Sequence, residues 1–144
     1  MVIGWTWRPL GCASQAAARR CEIESRLTVI HPDAFVLGAQ TDRLPNTVNV
    51  CLPGVDAEDL VDRMAAADIA ISAGSACAYG ARKPSYVALA HGLSYEQAKC
   101  CVRISLSVES SGQEVDRFLQ VLTELVTGPA TPSARKLEIG RAHV

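Results

Sequence analysis

The chain has 144 residues, of which 49% are hydrophobic and 20% charged, and its formal net charge is −1. That length suits one domain able to bury roughly two-thirds of the surface its unfolded chain would expose. The composition excludes a disordered chain, and the absence of a basic stripe excludes a nucleic-acid binder. No stretch approaches the ~18 unbroken apolar residues of a membrane span. Arg8 and Pro9 interrupt the short apolar start, so no secretory signal and no membrane partner are expected, and the expected compartment is the cytoplasm.

In chain order, a helix is predicted over residues 15–27, followed by a turn at His31-Pro32-Asp33, where proline and aspartate both favour one. Residues 34–37 read as a short strand ending at Gly38. Residues 46–52 alternate, with Val48, Val50 and Leu52 on one face and Thr47, Asn49 and Cys51 on the other. Pro53-Gly54 breaks this strand. Asp56 is placed to cap a helix carrying Leu60, Val61 and Met64. Residues 69–71 read as a short buried strand.

A run of small residues follows from Ser72 to Ala81. Pro84 suits the first turn of a helix carrying Val87, Leu89 and Ala90, which Gly92 stops. Residues 94–99 form another short helix. Residues 101–106 alternate again, with Val102, Ile104 and Leu106 opposite Cys101, Arg103 and Ser105. Ser111 and Glu114 have the spacing of a capping box. They open a helix with Val115, Phe118, Leu119, Leu122, Leu125 and Val126 on one face. The tail from Gly128, rich in Pro, Thr, Ser and Ala, is expected to be loose. The sum is an α+β fold: a small, mostly antiparallel sheet with helices packed on it.

Six cysteines occur, Cys12, Cys21, Cys51, Cys77, Cys100 and Cys101. None forms a C-x-x-C pair, and the three histidines are far apart, so no metal site is expected. Free cysteines are usually small buried hydrophobes, and that is the expectation for all but Cys77. Cys77 lies between Gly74 and Gly80 in a segment with little bulk to bury. A thiol on such a loop can be carried to a reaction centre and act there as a thiolate nucleophile. Arg82 and Lys83, nearby in sequence, would favour the thiolate.

Ser72-Ala-Gly-Ser-Ala-Cys77, then Lys83-Pro-Ser-Tyr-Val87 and Ala90-His-Gly-Leu93, resemble the active-site loop and following helix of NifS/IscS-type cysteine desulfurases, of the class V aminotransferase family. Leu44-Pro-Asn-Thr-Val-Asn-Val50 resembles the family's preceding strand, and Val102-Arg103-Ile-Ser-Leu106 its strand bearing a substrate-binding arginine. The resemblance implies the C-terminal small domain of a fold-type I pyridoxal-phosphate-dependent transferase. It also implies removal of sulfur from L-cysteine, giving L-alanine and a persulfide on Cys77 for an iron–sulfur scaffold or another sulfur-acceptor protein. Arg103 would then hold the substrate carboxylate through two parallel hydrogen bonds.

The resemblance covers residues 21–127. Residues 1–20 read as a non-family segment and 128–144 as a flexible tail, and Ser107 stands where the family usually has glycine. The family's cofactor lysine follows a histidine; Lys83, Lys99 and Lys136 do not, so no cofactor-binding residue is assigned here. The expectation is therefore a truncated desulfurase that does not turn over or bind pyridoxal phosphate alone. The alternatives are a non-catalytic carrier that accepts a persulfide, or a dimerisation module, as a homodimer or with a separate cofactor-domain chain.

Overall fold

A computed structural model describes residues 12–74 and 83–129. Four strands form one antiparallel sheet in the order β1-β2-β4-β3. These are β1 (Phe35–Val36), β2 (Thr47–Cys51), β3 (Ser72–Ala73) and β4 (Cys101–Ser105). Five helices accompany them: α1 (Cys12–Ile30), α2 (Ala57–Ala66), α3 (Tyr86–Ala90), α4 (Tyr95–Ala98) and α5 (Gly112–Thr127). The α+β class read from the sequence is the architecture found.

The pleat decides what each face of the sheet does. In register, Val48 faces Ile104 and Val50 faces Val102. These four side chains are buried in one core with Ile23 and Leu27 of α1, Leu60 and Met64 of α2, and Phe118, Leu119 and Leu122 of α5. Removing a Leu- or Met-sized side chain from water stabilises by roughly 1.5–3 kcal/mol, so this face carries most of the fold. The Arg26–Asp116 ion pair also joins α1 to α5 at the surface.

The opposite face is divided. At one end, Cys51 and Cys101 are buried with Leu37 of the β1 turn, Ala88 of α3 and Ala98 of α4. Beyond that row, Asn49 stands beside Arg103, which stands beside Ser72, and Thr47 stands beside Ser105. There Arg103 and Ser105 are exposed and Thr47, Asn49 and Ser72 are half-buried.

Two local expectations change. The strand expected at residues 69–71 is displaced to Ser72–Ala73. Asp68 takes a left-handed backbone (φ 61), and the Ile69 N–H turns back to the Met64 carbonyl at 2.9 Å. Ile69 and Ile71 thus pack on the core without pairing in the sheet. The helix after the cysteine segment begins at Tyr86, capped by the Ser85 hydroxyl, which accepts from the Ala88 N–H at 3.3 Å. Pro84 lies before that cap, and the residue the helix buries is Ala88, whereas Val87 is exposed.

Candidate functional site

β4 is central because its apolar alternation matches β2 on one side, and its other edge receives the short β3. This fixes Arg103 in mid-sheet, on the face not covered by α1, α2 and α5, with Asn49 and Ser72 as its cross-strand neighbours. None of the described side-chain hydrogen bonds or ion pairs involves the Arg103 guanidinium. A guanidinium so held by its backbone, with its head exposed, is available to a carboxylate ligand.

Cys77 lies outside the described residues, as does Arg82. The two ends of its segment are described. β3 leads out from beside Arg103 to Gly74, whose backbone is left-handed (φ 62). A Cβ at Gly74 would lie 3.9 Å from the Ser85 Cα, so the chain leaves and re-enters at nearly one point. Glycine takes that backbone without the steric cost a side chain would bring. Lys83 is exposed just before the re-entry.

Among the other cysteines, Cys51 and Cys101 are 0% and 2% exposed, as expected of small hydrophobes. Cys21 departs from the expectation: it faces solvent on α1, and Cys100 is only half-buried. The side chain of Cys12 lies outside the described residues. Burial pushes the Cys51 thiol up. Burial, with Cys51 beside it, pushes the Cys101 thiol up to about 12. Both thiols are therefore protonated at neutral pH and are poor nucleophiles there. Pairing of these two residues was invisible in the sequence, because it depends on the β2–β4 register.

Pyridoxal phosphate, which the resemblance implies, would need an amine to bond its aldehyde, an anion cradle and room for a ring. Lys83 and Lys99 line a cleft with Asp56, Glu58, Ser85 and Cys101, but its volume is about 20 Å³. That is about the room of one water molecule. A larger cleft of about 240 Å³ lies between α5, β4 and the segment before β3. It is walled by Ile69, Ile71, Ile104 and Phe118, with Asp68, Glu114 and Arg117 also lining it and no lysine. The described residues by themselves do not fit the cofactor, and Lys136 lies outside them. Nor do any three His, Cys, Asp or Glu side chains among the described residues gather to hold a metal. No described helix is long and apolar enough to cross a membrane.

Comparison with known proteins places the chain in a family. The chain is 41% identical over 97 residues to a cysteine desulfurase of Azospirillum brasilense, covering 67% of this chain and 24% of that protein. It is 34% identical over 113 residues to the cysteine desulfurase NifS of Azotobacter vinelandii, covering 78% of this chain and 28% of that one. The solved NifS-like protein from Rickettsia africae superposes with a TM-score of 0.68 at 23% identity, over 80% of this chain and 29% of its own. That similarity speaks to the fold. The chain thus spans about a quarter of the length of the curated relatives it matches. The aminotransferase class-V profile matches residues 14–118, and the chain belongs to that family, with NifS-type cysteine desulfurases among its relatives.

Proposed function

We propose that this chain is the cysteine-bearing portion of a cysteine desulfurase, with Cys77 as sulfur acceptor and Arg103 as carboxylate anchor. The observation that carries this reading is the position of Arg103: exposed on the uncovered sheet face, paired with Ser72 on the strand that runs into the cysteine segment. The family relationship supplies the reaction class, and the small-residue composition around Cys77 suits a thiol that must reach its target.

The residues' roles follow from their chemistry. Arg103 holds the carboxylate of L-cysteine in a fixed plane by two parallel N–H donors. The Cys77 thiolate attacks the substrate sulfur, forming an S–S bond as the substrate C–S bond breaks. The substrate carbon takes up a proton to become L-alanine, and Cys77 keeps the sulfur as a persulfide. Pyridoxal phosphate, where a complete enzyme of the family holds it, would supply the electron sink that such C–S cleavage requires. The persulfide then passes to an acceptor thiol by exchange, as in an iron–sulfur scaffold.

The test is a chimera in which residues 21–127 replace the matching segment of the Azospirillum brasilense enzyme. It should release alanine from L-cysteine and carry one extra sulfur on Cys77 by mass spectrometry. Cys77→Ser should abolish both signals, and Arg103→Ala should raise KM for cysteine by 10-fold or more, about 1.4 kcal/mol of lost binding or greater. A folded chimera whose Cys77→Ser variant still desulfurates would overturn the assignment. Incubating the unaltered chain with an active desulfurase and cysteine separates a carrier from a catalyst: sulfur on Cys77 there, with an inactive chimera, would favour the carrier.

A further inference from the structure

Cys51 and Cys101 face each other across β2 and β4. Sheet hydrogen bonds fix the type of pair. Leu52 N–H donates to the Cys100 carbonyl at 2.9 Å, and Leu106 N–H donates to the Asn46 carbonyl at 2.8 Å. Narrow hydrogen-bonded pairs therefore fall on the even-numbered residues of both strands, and Cys51–Cys101 is a non-hydrogen-bonded pair. Such pairs bring Cα atoms to about 4.5 Å, inside the range of about 4.4–6.8 Å that a disulfide spans. Both sulfurs converge on one acceptor: each thiol donates to the Gln97 carbonyl at 3.4 Å. That carbonyl also accepts the Cys100 N–H at 2.9 Å, so it keeps a partner if both thiol protons are lost.

A cleft reaches the pair from the surface at Cys101. Cys101 lines the cleft formed by Gly74, Lys83, Ser85, Lys99 and Asp56, whose volume is about 20 Å³. A space of that size admits a molecule about as large as water. Hydrogen peroxide, the smallest hydroperoxide, lies far nearer this size than a tripeptide disulfide does.

We propose that Cys51 and Cys101 form an oxidative modification site, a buried cross-strand dithiol that a hydroperoxide converts to a Cys51–Cys101 disulfide. The Cys101 sulfur attacks one peroxide oxygen. An S–O bond forms, the O–O bond breaks, and the departing hydroxide takes the thiol proton as water. The Cys51 sulfur then attacks the Cys101 sulfenic acid. An S–S bond forms, the S–O bond breaks, and the second hydroxide leaves as water with the Cys51 proton. The two sulfurs together lose two electrons and the peroxide gains them, so two thiols and one peroxide give one disulfide and two waters. The high Cys101 thiol value keeps the reaction slow at neutral pH and makes it about tenfold faster per pH unit while the thiolate remains the minor form.

The test uses the full native chain, exposed to hydrogen peroxide, alkylated, and digested with trypsin. Cleavage after Lys99 and Arg103 leaves Cys100 and Cys101 on one peptide, so Cys100→Ser is digested beside the unaltered chain. The expected result is a dithiothreitol-sensitive link between the peptide 44–63, carrying Cys51, and the peptide 100–103, in both proteins. The link should form faster at pH 9 than at pH 7 and be absent in Cys101→Ser. Absence of the link in the folded native chain, its loss in Cys100→Ser, or Cys101 accumulating as sulfinic acid with Cys51 unbridged would each overturn the proposal.

Discussion

Arg103 is anchored at both sides by strand pairing, yet its guanidinium makes none of the described polar contacts. A side chain kept for folding is normally engaged. Arg103→Ala is therefore expected to change unfolding free energy by less than about 0.5 kcal/mol, read by urea denaturation, even though it should impair a complete enzyme. Cys51 and Cys101 behave in the opposite way, being buried and protonated. Their folded values lie above the ordinary thiol value of 9.0, that of Cys101 at about 12. The unfolded chain thus releases these protons first as pH rises. Their contribution to stability is fully present below about pH 9 and declines toward pH 12. The decline is at most about 1.4 kcal/mol per pH unit for each thiol. Denaturant midpoints measured between pH 8 and pH 11 check this, and a flat profile would contradict it. At this scale the family resemblance marked Arg103 and the alternation agreed with it, since Val102, Ile104 and Leu106 claim the core face. It could not mark the thiol pair, because two cysteines fifty positions apart meet only through a strand register.

At the scale of elements, legibility followed how much of an element's pattern is dictated by one buried face. The alternation of β2 and β4 and the apolar stripe of α5 are each dictated by a single core, and each was readable. α5 opens with a complete capping box: Glu114 N–H donates to the Ser111 hydroxyl at 3.2 Å, and Ser111 N–H donates to the Glu114 carboxylate at 2.6 Å. Ser111→Ala is expected to lower stability by about 1 kcal/mol. Leu122→Ala, which empties a site 1% exposed, should cost about 2–5 kcal/mol. Thermal or urea unfolding of both variants tests the order of these effects. The misplaced β3 has the opposite cause. Ile69 and Ile71 carry the apolar signal but serve the core from a loop, while the weakly patterned Ser72 and Ala73 make the ladder bonds. α1 also runs to Ile30, beyond the predicted end at residue 27. There the β-branched Thr28, Val29 and Ile30 are poor helix formers, and the His31 ring is held by the Pro53 carbonyl at 2.9 Å. Long-range contact outweighed propensity at that end.

At the scale of the molecule, among the described residues, one sheet face is closed by three helices and the other is closed at the row holding Cys51 and Cys101. The remainder, with Arg103 and Ser105 exposed, is too polar to be an exposed core. It suits a face completed by other polar groups, in keeping with a chain that matches about a quarter of its relatives' length. Because no described cleft joins a lysine to sufficient room, adding this chain to pyridoxal phosphate should leave the cofactor's absorption unchanged. A new visible band in spectrophotometric titration would show that residues outside the described set complete a site.

The meeting of Gly74 with Ser85 carries a consequence for how the cysteine segment can vary. Where two points of a chain already sit side by side, extra length between them enters stability mainly through closure entropy, and each doubling costs about 0.6 kcal/mol. Inserting five Gly/Ser residues between positions 80 and 81 should thus lower stability by only a few tenths of a kcal/mol, measurable by urea titration. The length of chain between Gly74 and Ser85 can thus change without redesigning the sheet.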